Sequence, residues 1–184
     1  MNETRSPDTR TRIESTALEL FIQQGFSATS LQQIADRVGV TKAALYYYFP
    51  SKADLARSIF RPWKEDLDAF LDQAEAAGDW TKRELIGNAF DVLVRHQGAF
   101  TAMMVDGSIL RHVDLVEWTA EWASRLEHLI VGPNPTIAEK TRVAVAFGGL
   151  NDAIFLLGRL PEEEVKPAAI DAVCGALGID DRES

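Results

Sequence analysis

The chain has 184 residues, an apolar content of 46% and a formal net charge of −9. That suffices for one compact unit, or for two small subdomains sharing a helix, around a real core. No run reaches the ~18–20 apolar residues of a membrane span. The opening MNETRSPDTRTR lacks the apolar centre of a signal peptide, and the lone Cys174 excludes an internal disulfide or a Cys-rich zinc site. A cytoplasmic protein without a membrane partner is the expectation. The charge is uneven. Residues 1–64 hold nine Lys/Arg against six Asp/Glu, and the remainder ten against twenty-two. A modest basic surplus at one end excludes a promiscuous nucleic-acid coat, and the acidic remainder repels polyanions.

The first eight or so residues read as an arm, with Arg5, Arg10 and Arg12 offering positive charge. A first helix runs from about Asp8 to Gln24 and stops at Gly25. Ser30 is a natural N-cap, and Gln33 three residues on completes a capping box. Leu31, Ile34, Ala35 and Val38 then mark one face of a short second helix. Gly39 permits a sharp turn, Val40 plugs the angle, and Thr41 caps a third helix whose Leu45 and Phe49 point inward. The opposite face offers Lys42, Ala43, Tyr46 and Tyr47, and a short second helix of this kind is what enters a DNA major groove.

Tyr46, Tyr47 and Tyr48 are consecutive, so they point three ways and cannot all be core. Their hydroxyls can donate to phosphate and their rings can pack on sugars or thymine methyls; the competing reading packs each on a neighbouring helix. Lys52, in the first turn of a fourth helix, opposes the helix dipole, which suggests the task of holding a phosphate. Ser30, Gln32 and Gln33 can do the same on the other strand.

The fourth helix opens at Pro50-Ser51-Lys52 and continues to about Ala77, with a kink expected at Pro62. Thr81 and Glu84 box a fifth helix ending near His96, where Gly98 breaks it. A short sixth covers about Ala99 to Leu110, and a seventh about Asp114 to Val131. Gly132-Pro133-Asn134-Pro135 interrupts, and Thr136 with Glu139 caps an eighth reaching Leu157 or Gly158. Pro167 disfavours a continuous helix from Pro161, so the ninth runs from about Lys166 to Leu177. No segment alternates with period two. The fold expected is all-α, about nine helices.

Ile13, Ala17, Leu20, Phe21, Gly25-Phe26, Ser30, Ile34-Ala35, Gly39-Val40-Thr41-Lys42, Leu45-Tyr46, Phe49, Ser51-Lys52 and Leu55 stand in one register over roughly residues 10 to 60. This segment resembles the DNA-binding domain of the tetracycline-repressor-like (TetR) family. The resemblance implies a helix-turn-helix DNA-binding domain over residues 1–50 and a helical ligand-binding and dimerisation domain over 51–184. It places Lys42, Ala43, Tyr46 and Tyr47 toward bases or adjacent backbone, with Thr41 capping that helix, and Tyr48 and Lys52 toward phosphates. It also implies a two-fold homodimer on double-stranded operator DNA, and repression relieved when a small molecule shifts the fourth helix.

The second half carries no comparable motif. Trp63, Phe90, Leu93, Met103, Met104, Trp118, Trp122 and Phe155, with the polar His96, Gln97 and Asn151, are candidates for an adaptable, mostly apolar effector pocket. Each aromatic has core packing as its competing reading. The eighth helix is apolar nearly all round, with small residues at Ala144, Gly148 and Gly149. The family pairs its last two long helices with their mates. Val145, Gly148, Gly149, Asp152, Leu156, Ile170, Val173 and Leu177 are therefore the candidate dimer interface. His96, His112 and His128 fall in three different segments, so no metal site and no cofactor is expected. Ser108 lies near Asp106, His112 and Asp114, but no nucleophile-elbow pattern surrounds it, and no enzyme is expected. The alternatives are a DNA-binding regulator controlled by a partner protein or without an effector, and, from another class, a small-molecule enzyme on a helical scaffold.

Overall fold

The computed structural model describes residues 8–113 and 115–179; the expected arm with Arg5, and Asp114, lie outside them. The described residues form ten α-helices and no strand. They are α1 (Thr9–Gln24), α2 (Leu31–Val38), α3 (Lys42–Tyr48), α4 (Lys52–Ala77), α5 (Lys82–Arg95), α6 (Gln97–Val105), α7 (Ile109–His112), α8 (Leu115–Val131), α9 (Ile137–Leu157) and α10 (Glu162–Leu177). An N-terminal helix-turn-helix domain is followed by a helical C-terminal domain.

The helix starts follow local chemistry. Ser30, Thr81 and Thr136 each accept from the third helical N–H while Gln33, Glu84 and Glu139 reach back to the cap. Thr41 accepts from Ala44 N at the head of α3. Gly39, at φ +79°, closes α2 in the left-handed region that an L side chain enters only with strain.

Three boundaries depart from expectation. The expected single helix over 99–110 is two, because Asp106 turns its carboxylate back onto Ser108 N at 3.0 Å and stops α6. Gly98 lies inside α6 instead of breaking it; a Cβ there would stand 3.2 Å from Leu18 Cδ2, so its bareness serves a close approach. α10 begins at Glu162 and runs through Pro167. Pro167 and Glu163 are exposed, so the carbonyl left without a donor faces water, and three glutamates in the first turn favour the N-terminal end of the dipole.

Packing divides the chain into two units: residues up to Pro62 with Gly98–Val116, and Trp63–Gln97 with the residues from Glu117 onward. Segment 98–116 thus joins the N-terminal unit, although it follows residue 50 in the chain. α4 is unbroken through Pro62, and the boundary falls immediately after that residue. In the first unit Ile13, Phe21, Ile34, Leu45 and Phe49 are fully buried. In the second, α10 packs on α9 and α5.

Candidate functional site

α1 packs on α2, and α2 on α3. Their buried faces are Ile13, Ala17, Leu20 and Phe21, then Ile34, Ala35 and Val38, then Leu45. With that face spent, α3 turns Lys42, Ala43, Tyr46 and Tyr47 to solvent. Tyr47 is 85% exposed and meets the Tyr48 ring edge-on at 5.5 Å. Tyr46 is 44% exposed, with Lys42 Nζ 5.8 Å from its ring centre. A large exposed aromatic on a seven-residue helix does nothing for the core, so this face is built to meet something. Across the turn, Ser30 and Gln33 spend their side chains on the α2 capping box. Gln32 donates to Asp36 Oδ1 at 2.7 Å.

The basic residues expected at this surface are placed differently. Arg12 donates to Val38 O at 2.8 Å, capping the end of α2, and Arg10 lies 4.6 Å over the Phe49 ring while donating to Ser58 Oγ. Lys52, expected on a phosphate, donates to Phe26 O and Thr29 O, both at 2.7 Å. Its Nζ also stands 4.3 Å from the Phe26 ring centre. A third, longer bond reaches Ser27 O at 3.5 Å, so all three N–H groups face loop carbonyls and Lys52 ties the start of α4 to the α1–α2 loop. Burial lowers its pKa, against the pull of the Asp106 charge.

Asp106, weighed in the sequence only as a neighbour of Ser108 in a hydrolase-like cluster, serves the N-terminal unit instead. Its Oδ2 accepts from Ser27 N at 2.7 Å and its Oδ1 from Ser108 N at 3.0 Å, while the Ser27 and Ser108 hydroxyls pair at 2.9 Å. Hydrogen bonding by the Ser108 side chain first, and then by the Ser27 backbone N–H, holds its pKa far below the usual carboxylate range. Gly25, at φ +86°, leaves room for it: a Cβ there would lie 3.2 Å from the carboxylate. The Phe26 ring meets the His112 ring at 5.0 Å. The loop that sets the angle of α2 is thereby bonded to the α6–α7 turn within one unit. The Asp-Gly-Ser triplet was the legible signal for the turn; its long-range partner was not.

The expected effector residues do not converge on one cavity. Trp63, Phe90, Leu93 and Trp118 are buried core, and Trp118 Nε1 donates to Asp68 Oδ1 at 2.8 Å. Gln97 spends its amide on Ile154 O at 2.9 Å, over a glycine, Gly158, whose Cβ would collide with it. Met103 and Met104 belong to the other unit, and Phe155 is exposed. Trp122 Nε1 is buried with no hydrogen-bond partner among the described residues. His96 pairs with Asp66 at 2.9 Å. Asp66 leads to a cleft of about 350 Å³ between α4 and α5, lined among others by Phe70, Trp80, Asn88, Asp91 and Arg95.

Val145, Gly148, Gly149, Asp152 and Leu156 form an exposed strip on α9, with Val145 63% and Leu156 71% exposed. Beside it lies an apolar groove of about 200 Å³, floored by Ala146 and Leu150 and walled by Ala169, Ala172 and Ala176. Val173 also lines the groove but is buried in the protomer. Ile170 is turned toward α5, its Cδ1 3.5 Å from where a Gly87 Cβ would stand, and Leu177 is half-buried. On the α10 side the groove is thus lined by Ala169, Ala172, Val173 and Ala176, and not by Ile170 or Leu177.

The sequence pattern of bacterial regulatory proteins of the tetR family matches residues 13–59. The chain is 49% identical over 53 residues to the HTH-type transcriptional regulator AcrR of Shigella flexneri, covering 29% of this chain and 25% of that protein. It is 47% identical over 64 residues to RutR of Escherichia coli K12, covering 33% and 30%. The match therefore spans a third or less of these relatives. Over its length the fold is similar to a transcriptional regulator of Aquifex aeolicus VF5, with TM-score 0.70, 20% identity, and 90% of this chain and 98% of that one covered. NalD of Pseudomonas aeruginosa, described as the secondary repressor of a multidrug efflux pump, gives TM-score 0.67 at 22% identity, covering 96% and 97%.

Proposed function

We propose that this chain, whose residues 13–59 match the pattern of bacterial regulatory proteins of the tetR family, is a cytoplasmic, homodimeric repressor of transcription, released from a palindromic operator by a small molecule. The observation that carries the reading is the outer face of α3, where Lys42, Ala43, Tyr46 and Tyr47 stand free of the core. Ala43 lets the helix approach the groove floor. The tyrosines supply ring contact with bases or sugars and hydroxyls for phosphate oxygens. Thr41 and Ser30 keep their hydroxyl protons available while their oxygens cap helices. Lys52 supports the angle of this unit rather than reaching for DNA.

One such unit covers too little DNA for high specificity, and a two-fold pair reads two half-sites about one turn, ~34–36 Å, apart. The α9 strip supports the pairing. Gly148 and Gly149 sit mid-helix, where glycine costs roughly 0.5–1 kcal/mol relative to alanine, yet a Cβ at either would meet nothing within 4 Å. The protomer has no use for their bareness, whereas a second helix approaching closely does. α4 crosses the boundary between the units, so a ligand preferring one arrangement of its far end alters the affinity of the DNA end.

The test is selection of bound duplexes from a random DNA pool, with Tyr47→Ala in parallel. Wild type should enrich an inverted repeat. Tyr47→Ala should lose the enrichment while its unfolding free energy stays within about 0.5 kcal/mol. Recovery of no preferred sequence by the wild type would defeat the reading.

A further inference from the structure

The cleft between α4 and α5 matches the size of a small-molecule site, about 350 Å³ against roughly 300–1,000 Å³ for ligand pockets. Its lining is unlike the apolar pocket expected of this half. At one end the rings of Phe70 and Trp80 lie 6.0 Å apart at 37°, with Phe70 buried and Trp80 half-exposed. Asp66, Asp91 and Arg95 supply charge, and Asn88 an amide with no hydrogen bond among the described residues. Each carboxylate is half used. Asp66 Oδ2 takes both Arg95 Nη1 at 2.8 Å and His96 Nε2 at 2.9 Å, leaving Oδ1 without a partner. Asp91 Oδ1 takes Lys166, leaving Oδ2 without one. These bonds to Arg95 and His96 keep the Asp66 pKa below its usual value, so the carboxylate is charged at neutral pH.

We propose that this cleft binds a planar organic monocation of the aryl-amidine or aryl-guanidine class, and that such a molecule is the effector of the regulator proposed above. The cleft offers no surplus positive charge to hold an anion, since Arg95 is already paired with Asp66 and Lys166 with Asp91, in a chain at −9. The unused acceptors call for several N–H donors on one ligand. A flat amidinium carries charged N–H donors on two nitrogens, and these can bond the free carboxylate oxygens, Asp66 Oδ1 or Asp91 Oδ2, more strongly than a neutral donor would. Its ring can lie on Trp80, where a cation is also attracted to the indole face. The effector role rests on the repressor reading; occupancy of the cleft does not, and the experiment separates the two.

Benzamidine is titrated calorimetrically into the full chain without DNA, alongside benzamide, its neutral counterpart, and benzoate, of opposite charge. Saturable binding of benzamidine, with the other two at least about tenfold weaker, is the expected result. Trp80→Phe should remove the ligand-dependent change in tryptophan fluorescence. Asp91→Asn and Asp66→Asn should each weaken benzamidine at least about tenfold. The two variants are independent, so loss of the Lys166 pair in one does not decide the outcome. Equal binding of benzamide or benzoate, no saturation by benzamidine, or affinity unchanged in both Asp variants would overturn the site. Operator affinity is then measured with and without benzamidine. Binding without any change in DNA affinity would remove the effector role, whereas failure to select any DNA would sink the repressor reading and leave the titration intact.

Discussion

A lysine in the first turn of a helix sits against the positive end of the dipole, and that cost needs an explanation. At Lys52 a phosphate is the explanation that local sequence offers. The structure provides another: carbonyls of the preceding loop, Phe26 O and Thr29 O, gather around the ammonium. Thr29 is itself buried, its hydroxyl donating to Gly25 O at 2.7 Å, so the loop is polar, folded inward and short of donors. Lys52→Met should therefore cost about 1–3 kcal/mol of stability, the usual range for hydrogen bonds to a charged group. Urea unfolding reads this. The slope of log affinity for DNA against log salt should stay unchanged, where loss of a phosphate contact would lower it by about 0.9. A fall in slope with unaltered stability would return Lys52 to the DNA surface.

At the scale of elements, the α6–α7 turn shows how a local stop signal becomes a long-range link. Asp106 ends α6 through Ser108 and in the same act accepts from Ser27 in the α1–α2 loop. Its folded pKa lies well below the unfolded value of about 3.9. The sign follows: the stabilisation is fully present above the unfolded pKa and is lost as pH falls from there toward the folded pKa. Asp106→Asn should cost about 1–3 kcal/mol at neutral pH. The gap to wild type should stay level from pH 7 to about 5 and narrow below about pH 4. Thermal melts across that range test both the size and the pH window. α4 offers a contrasting case. Pro62 is exposed inside a continuous helix, so the missing donor is tolerated while the packing boundary still falls beside it.

For the whole molecule, the decisive surface is the α9 strip with its groove along α10. Val145 and Leu156 are exposed far beyond what a lone protomer gains from them, and the glycines between them leave open space. Gly149→Trp fills the groove lip. It should convert a dimer to a monomer in sedimentation at micromolar concentration and abolish tight operator binding. The melting of the α1–α3 core should be retained, because no Cβ contact is violated within the protomer. Sedimentation of the wild type as a monomer would defeat the dimer, and with it the two-half-site reading.

Much of this protein is settled within a few residues of chain. The caps at Ser30, Thr41, Thr81 and Thr136, the stop at Gly25 and the turn at Gly39 are each local hydrogen-bond or φ problems, solved by the side chains beside them. The period of Leu31, Ile34, Ala35 and Val38 likewise fixes which face of α2 is buried, and Leu45 does the same for α3, leaving Lys42, Ala43, Tyr46 and Tyr47 exposed. What tertiary structure alone decided was the fate of groups long enough to choose partners. Arg12, Lys52 and Gln97 each had solvent, DNA or ligand as a plausible destination, and each went to a backbone carbonyl brought close by folding. The site in the second unit followed the same rule. Aromatic content there could serve core or pocket equally, and packing assigned Phe90 and Trp118 to the core while leaving a polar cleft beside Trp80. Composition cannot make that assignment, because burial depends on which helix faces meet, and that is set by contacts distant in the chain.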